Sequence, residues 1–93
     1  MTPRQTAASA LLDVERDGSY SNLVLEPYFQ REALSPRDRA FCAALFYGVL
    51  ERRITLDWTL DHYSRTPVAR LEPEVRAALR LGAYQLMFSP GTP

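Results

Sequence analysis

At 93 residues, with 46% hydrophobic and 24% charged side chains, the chain has the composition of one small globular domain at most, which argues against disorder and against several domains. Its formal net charge is zero, so bulk charge makes no case for a nucleic-acid partner. All 11 basic residues are nonetheless arginine. A compositional bias of the genome is the simpler explanation, and it does not exclude a need for bidentate phosphate contacts. The single cysteine, Cys42, has no internal disulfide partner, which points to a reducing, intracellular setting. The N-terminus lacks the pattern of a secretory signal, and the apolar run Ala40–Leu50 is too short for the ~20 residues of a membrane span. A cytoplasmic location is expected.

Helical signals follow one another along the chain. Thr2-Pro3-Arg4-Gln5 reads as a capping box with proline at the first helical position. Ala7, Leu11 and Val14 recur at helical spacing, and Asp17-Gly18 supplies the stop. In "SYSNLVLEPYFQREAL", Pro27 interrupts the pattern, since an interior proline costs about 3 kcal/mol. A turn at Ser21-Asn22 and a helix from Pro27 to Ala33 are therefore expected.

Ser35-Pro36-Arg37-Asp38 is the clearest start signal: an N-cap, a proline and an acid in the first turn. Residues 40–50 are apolar on nearly every face, as in the central helix of a bundle. Leu56, Leu60 and Tyr63 continue a narrower stripe with Trp58 beside it. The spacing predicts one long helix from Pro36 to about Tyr63, bent near Ile54-Thr55. "SRTPVARLEP" is a turn. Pro73 opens a last helix with Glu72 and Glu74 near its positive end, and Val75, Leu79, Gly82 and Leu86 form its stripe. Ala78, Leu81 and Phe88 widen that stripe. With no strand pattern, repeat or low-complexity segment, the fold class is all-α.

Gly48 and Gly82 each interrupt an apolar helix, where glycine costs on the order of 1 kcal/mol relative to alanine. A close crossing of the two helices at these glycines is expected.

"SPRDRAFCAALFYGVLERRITLDWTL", followed by "LEPEVRAALRLGAYQLMF", resembles the NusB-like family. More narrowly, "DRAF", "YGVL", "LDWTL" and "LRLGAYQL" are similar in order and spacing to the N-terminal domain of bacterial 16S rRNA cytosine-5 methyltransferases. "RQTAASALLDV" and "SYSN" match more loosely. The resemblance spans essentially the whole chain and implies a NusB-like helical bundle that handles RNA. It also implies further helices beyond "YQLMF", so the 93 residues are expected to be part of a longer chain, or else a reduced protein that covers its exposed apolar face with a partner. In the methyltransferases a Rossmann-like domain follows, with the S-adenosylmethionine site and the catalytic cysteines. One departure is Glu51-Arg52-Arg53-Ile54, where the family often carries a longer arginine run. That thins the positive patch at this point.

No residue reads as catalytic. Cys42 lies in an apolar stretch without a histidine nearby in sequence, as inert buried cysteines do, and none of the family's catalytic cysteines maps onto it. His62 has no second ligand at metal spacing, so no metal is expected. Asp57 and Asp61 share a helix face and read equally as a carboxylate pair or as solvated acids. The candidate RNA-binding residues are Arg4, Arg37, Arg39, Arg52, Arg53, Arg76 and Arg80, with Tyr20 as a base-stacking aromatic. Arg80 is expected to point out of the apolar stripe. Each arginine also reads as a surface residue paired with Asp38, Glu51, Glu72 or Glu74. Two functions remain open. One is an RNA-binding domain that positions ribosomal RNA for a methyltransferase domain, with a standalone transcription antitermination factor as its variant. The other is a protein-interaction module whose apolar face docks a methyltransferase domain or another protein.

Overall fold

In a computed structural model, residues 1–18 and 21–88 are described. They form five α-helices and one 3-10 turn, with no strand among the described residues: α1 (Pro3–Asp17), α2 (Ser21–Arg31), α3 (Pro36–Glu51), α4 (Arg53–Tyr63), the turn Val68–Arg70, and α5 (Pro73–Phe88). Tyr20 lies outside the described residues.

The two strongest start signals form as their sequences imply. The Thr2 hydroxyl accepts from the Gln5 N–H at 3.1 Å while the Gln5 carboxamide accepts from the Thr2 N–H at 2.8 Å. This reciprocal pair satisfies donors that a helix start leaves free. The Ser35 hydroxyl accepts from the Asp38 N–H at 3.1 Å. α1 ends at Gly18, whose φ of 63° suits a residue without a side chain, and whose N–H returns to the Val14 carbonyl.

α3 is the buried centre. Cys42, Leu45, Phe46 and Val49 are almost completely removed from water, and α1 covers them with Thr6, Ala7, Ala10 and Leu11. The small side chains on α1 let the two helices approach closely. Leu25 and Tyr28 of α2, Leu56 of α4, and Ala77 and Leu81 of α5 complete the core.

Four expectations are corrected. First, α2 begins at Ser21 and runs through Pro27, so there is no turn at Ser21-Asn22 and no helix start at Pro27. Pro27 and Leu23 are both exposed, so the carbonyl that loses its partner can be hydrated, while Val24, Leu25 and Tyr28 hold the opposite face in the core. Packing outweighs the local penalty. Second, the long helix breaks at Arg52, where φ is −110° and ψ is 17°, two residues before the expected bend. The break turns α4 back against α5. Leu56 then reaches the core, and Tyr63, expected on the buried stripe, is left 83% exposed.

Third, α5 presents the other of its two apolar faces inward. Ala77 and Leu81 are buried, with Tyr84 and Phe88 packed against the core, whereas Val75, Leu79, Gly82 and Leu86 face solvent. Periodicity shows that a helix has apolar faces but not which one packs. Fourth, the glycines do not meet. A Cβ on Gly48 would overlap the Tyr84 ring, while a Cβ on Gly82 would meet nothing within 4 Å. The close approach is a glycine notch filled by a tyrosine.

The two glycines therefore predict opposite outcomes in urea unfolding. Gly48→Ala is expected to destabilise the chain by about 1–3 kcal/mol through overpacking. Gly82→Ala is expected to be neutral or to stabilise by up to ~1 kcal/mol. Equal losses at both positions would contradict this packing.

Candidate nucleic-acid interface

The expected RNA-binding arginines fall into two groups. At one end of the molecule, the capped N-termini of α1 and α3 lie side by side, because the Arg4 guanidinium stands 5.3 Å from the centre of the Phe41 ring. Arg37 shares an open hollow with Phe41, Ser35 and Asp38, so Phe41 links Arg4 with Arg37. Arg39 leaves the other side of α3. Its Nε donates to the Leu34 carbonyl at 3.2 Å, and its guanidinium sits 5.9 Å from the Phe29 ring centre. The Gln85 carboxamide, turned with its oxygen toward Arg4, accepts from Arg4 Nε at 2.8 Å. All three arginines are exposed, and none forms a salt bridge among the described residues. Two helix N-termini add partial positive charge to the same end.

The second group is largely engaged within the fold. Arg80 grips Asp57 in a two-pronged pair at 2.7 Å on each prong and is 17% exposed, contrary to the expectation that it would point outward. Arg80 follows the packed face of α5, which is also why its partner is on α4. Arg76, 12% exposed, pairs with Glu15 and donates to the carbonyls of Val68, Ala69 and Leu71 at 3.0–3.1 Å. It fastens the connection between α4 and α5 to α1. Its Nε is buried without a partner. Arg53 lines a cavity of about 250 Å³ with Glu15, Arg80, Leu11 and Val49. Arg52, at the helix break, lies 4.2 Å from the Phe88 ring centre. Neither Arg76 nor Arg80 pairs with the acids that sequence proximity suggested.

The remaining candidates are placed as follows. Asp57 and Asp61 diverge: Asp57 meets Arg80, and Asp61 accepts from the Val68 N–H at 2.7 Å. Cys42 is fully buried, and burial pushes its thiol up to about 11 from an ordinary 9.0. Sequence reasoning missed two features. Tyr28 donates to Asp13 at 2.5 Å beneath the Arg31 guanidinium. Burial first, and the Asp13 carboxylate second, push the Tyr28 hydroxyl up to about 12 from 10.0. The Arg31–Tyr28 spacing along the helix could have signalled part of this. Trp58 and His62, one turn apart on α4, stack in the open. Their position off the Leu56–Leu60 stripe was the available clue.

A NusB family model matches residues 1–93. The chain belongs to the NusB family. It is 36% identical over 93 residues to a probable ribosomal RNA small subunit methyltransferase B of Synechocystis, covering all of this chain and 21% of that protein. It is 42% identical over 84 residues to the ribosomal RNA small subunit methyltransferase B of Thermus thermophilus, covering 90% of this chain and 21% of the relative. The transcription antitermination protein NusB of Xanthomonas axonopodis is 30% identical over 90 residues, covering 97% of this chain and 57% of that protein. The chain thus spans about a fifth of the methyltransferases it matches and somewhat over half of the antitermination protein. No solved structure matched it. No helix is long and apolar enough to cross a membrane among the described residues.

Two measurements follow from these contacts. Tyr28 and Cys42 hold their protons more tightly in the folded chain than in the unfolded one. The stability this confers is fully present below about pH 9 and falls as pH rises from about 9 to 12. Tyr28→Phe should flatten the upper part of that fall. Arg76→Ala should cost about 2–3 kcal/mol in thermal or urea unfolding, since it strands Glu15 and three carbonyls. Arg37→Ala should stay within about 0.5 kcal/mol of the wild type.

Proposed function

We propose that this NusB family chain is an RNA-binding domain that positions ribosomal RNA for a 16S rRNA cytosine-5 methyltransferase, and that it performs no catalysis itself. The observation that carries this reading is the end of the molecule where Arg4 and Arg37 each approach Phe41 beside two helix N-termini, with Arg39 on the other side of α3 and none of the three in a salt bridge among the described residues. Exposed guanidinium groups without a carboxylate partner, at helix N-termini whose dipoles favour anions, suit phosphate oxygens. The similarity to rRNA methyltransferases over nearly the whole chain supports the ribosomal target. Single-stranded or irregular RNA is the fitting form, because an A-form major groove excludes side chains. Arg76 and Arg80 serve the fold in this reading, and Arg52 and Arg53 are secondary phosphate contacts.

The protein-docking reading applies to a different surface. Val75, Leu79 and Leu86 leave an aliphatic face of α5 in solvent. A methyltransferase domain in the same polypeptide, or a protein partner, covers it in the working assembly. S-adenosylmethionine belongs to that catalytic domain. A NusB-type antitermination role remains the variant of the RNA reading, supported by the similarity to the Xanthomonas protein.

The test is the affinity for a single-stranded 16S rRNA fragment as a function of salt. Arg4→Ala and Arg37→Ala are each expected to lower the log–log salt slope by about 0.7, one phosphate contact apiece. Arg80→Ala is expected to lower stability and leave the slope unchanged. Binding that ignores salt, or equal slopes for wild type and both variants, would overturn the assignment.

A further inference from the structure

Along the outward side of α4, Ile54, Trp58, His62 and Tyr63 form an exposed row. Ile54 and Tyr63 are each 83% exposed and Trp58 is 69% exposed. The Trp58 and His62 rings lie 11° from parallel with centroids 5.7 Å apart, and Tyr63 meets His62 edge-on at 4.9 Å. One face of the indole rests on the imidazole, and the exposure leaves the other to solvent. The rings brace one another, so a flat ligand laid on them immobilises few additional torsions.

Of the two α4 carboxylates, Asp57 is paired with Arg80, and the exposed Asp61 is turned to the Val68 N–H. Arg53 opens the helix and Arg65 follows it, and neither forms a salt bridge among the described residues. Arg53 turns inward toward Glu15 and Arg80, so Arg65 is the cation that stands just past the end of the aromatic row. A protein hot spot would sit within a shielding apolar surround. Here the row runs out into Ser64, Arg65 and Thr66, all polar and exposed. A nucleobase needs only a π-face to stack on and a positive charge for its phosphate.

We propose that Trp58, stacked on His62 and flanked by Tyr63, is a platform for unpaired nucleobases of single-stranded RNA. The proposal rests on the RNA-binding reading and adds to it a second contact on a different helix, made by bases where the Arg4–Arg37 end contacts phosphates.

Trp58 is the single tryptophan of the chain, so its emission reports the contact directly. The experiment titrates the chain with a short oligoadenylate RNA and with an abasic ribose-phosphate strand of the same length, reading fluorescence and affinity. Oligoadenylate is expected to quench Trp58 emission. Trp58→Ala is expected to weaken oligoadenylate binding about tenfold or more while keeping the wild-type salt slope, and Trp58→Phe to retain most of the affinity. The abasic strand is expected to bind wild type and Trp58→Ala alike, without quenching. Oligoadenylate binding that neither quenches Trp58 nor responds to Trp58→Ala would overturn the platform and leave the RNA reading standing. So would an equal loss for both strands, or a Trp58→Ala effect confined to oligomeric state, which would mark the row as a protein contact. If neither strand binds at low salt, both proposals fall.

Discussion

The buried face of α3 must be covered by its neighbours, and the other helices of a short chain have little surface to spare for it. Phe46, Leu45, Val49 and Cys42 are almost completely removed from water, while Ala40, Ala44 and Tyr47 leave one strip of this apolar helix exposed. α1 covers it through alanines, α2 by one face alone, and α5 by fitting Tyr84 against the notch at Gly48. A side chain at Gly48 would push α5 outward and unseat Ala77 and Leu81 with it. Burial of this kind contributes roughly 1.5–3 kcal/mol per large side chain, so the notch governs a substantial part of a small domain's marginal stability.

That constraint also sets which surfaces are left for partners. With Tyr84 turned inward, the opposite face of α5 points to solvent with Val75, Leu79 and Leu86 on it. The break at Arg52 swings α4 against α5, where the Asp57–Arg80 pair joins them and the outward side of α4 carries the aromatic row. The connection between these helices is short of apolar anchors beyond Val68. Arg76 and Asp61 hold it by hydrogen bonds instead. Arginines near these contacts serve the fold, and arginines at the capped ends of α1 and α3 stay exposed without a salt bridge among the described residues.

Local chemistry was legible in the sequence and choices between faces were not. Thr2 with Gln5, Ser35 before Pro36, and Gly18 after Asp17 each act within a few residues, so their types and spacing determine the outcome. Pro27 misled because its penalty is local, while the burial of Leu25 and Tyr28 that outweighs it comes from α1 and α3. α5 is apolar on two faces, and only the shape of α3 at Gly48 decides between them. Arg80 and Asp57 lie on different helices, so neither reveals the other by spacing. For the site, the sequence supplied the arginine set and the family resemblance, and the fold supplied the division between free and engaged guanidinium groups.

The central claim is that single-stranded RNA meets this NusB family chain at the capped ends of α1 and α3 and along the outward side of α4. Amide chemical-shift mapping of the labelled chain during titration with such RNA tests it most directly. The account predicts perturbations around Arg4, Arg37 to Phe41, and Ile54 to Tyr63, with the outward positions Val75 and Leu79 of α5 unaffected. Perturbations confined to the outward face of α5, or none at low salt, would contradict it.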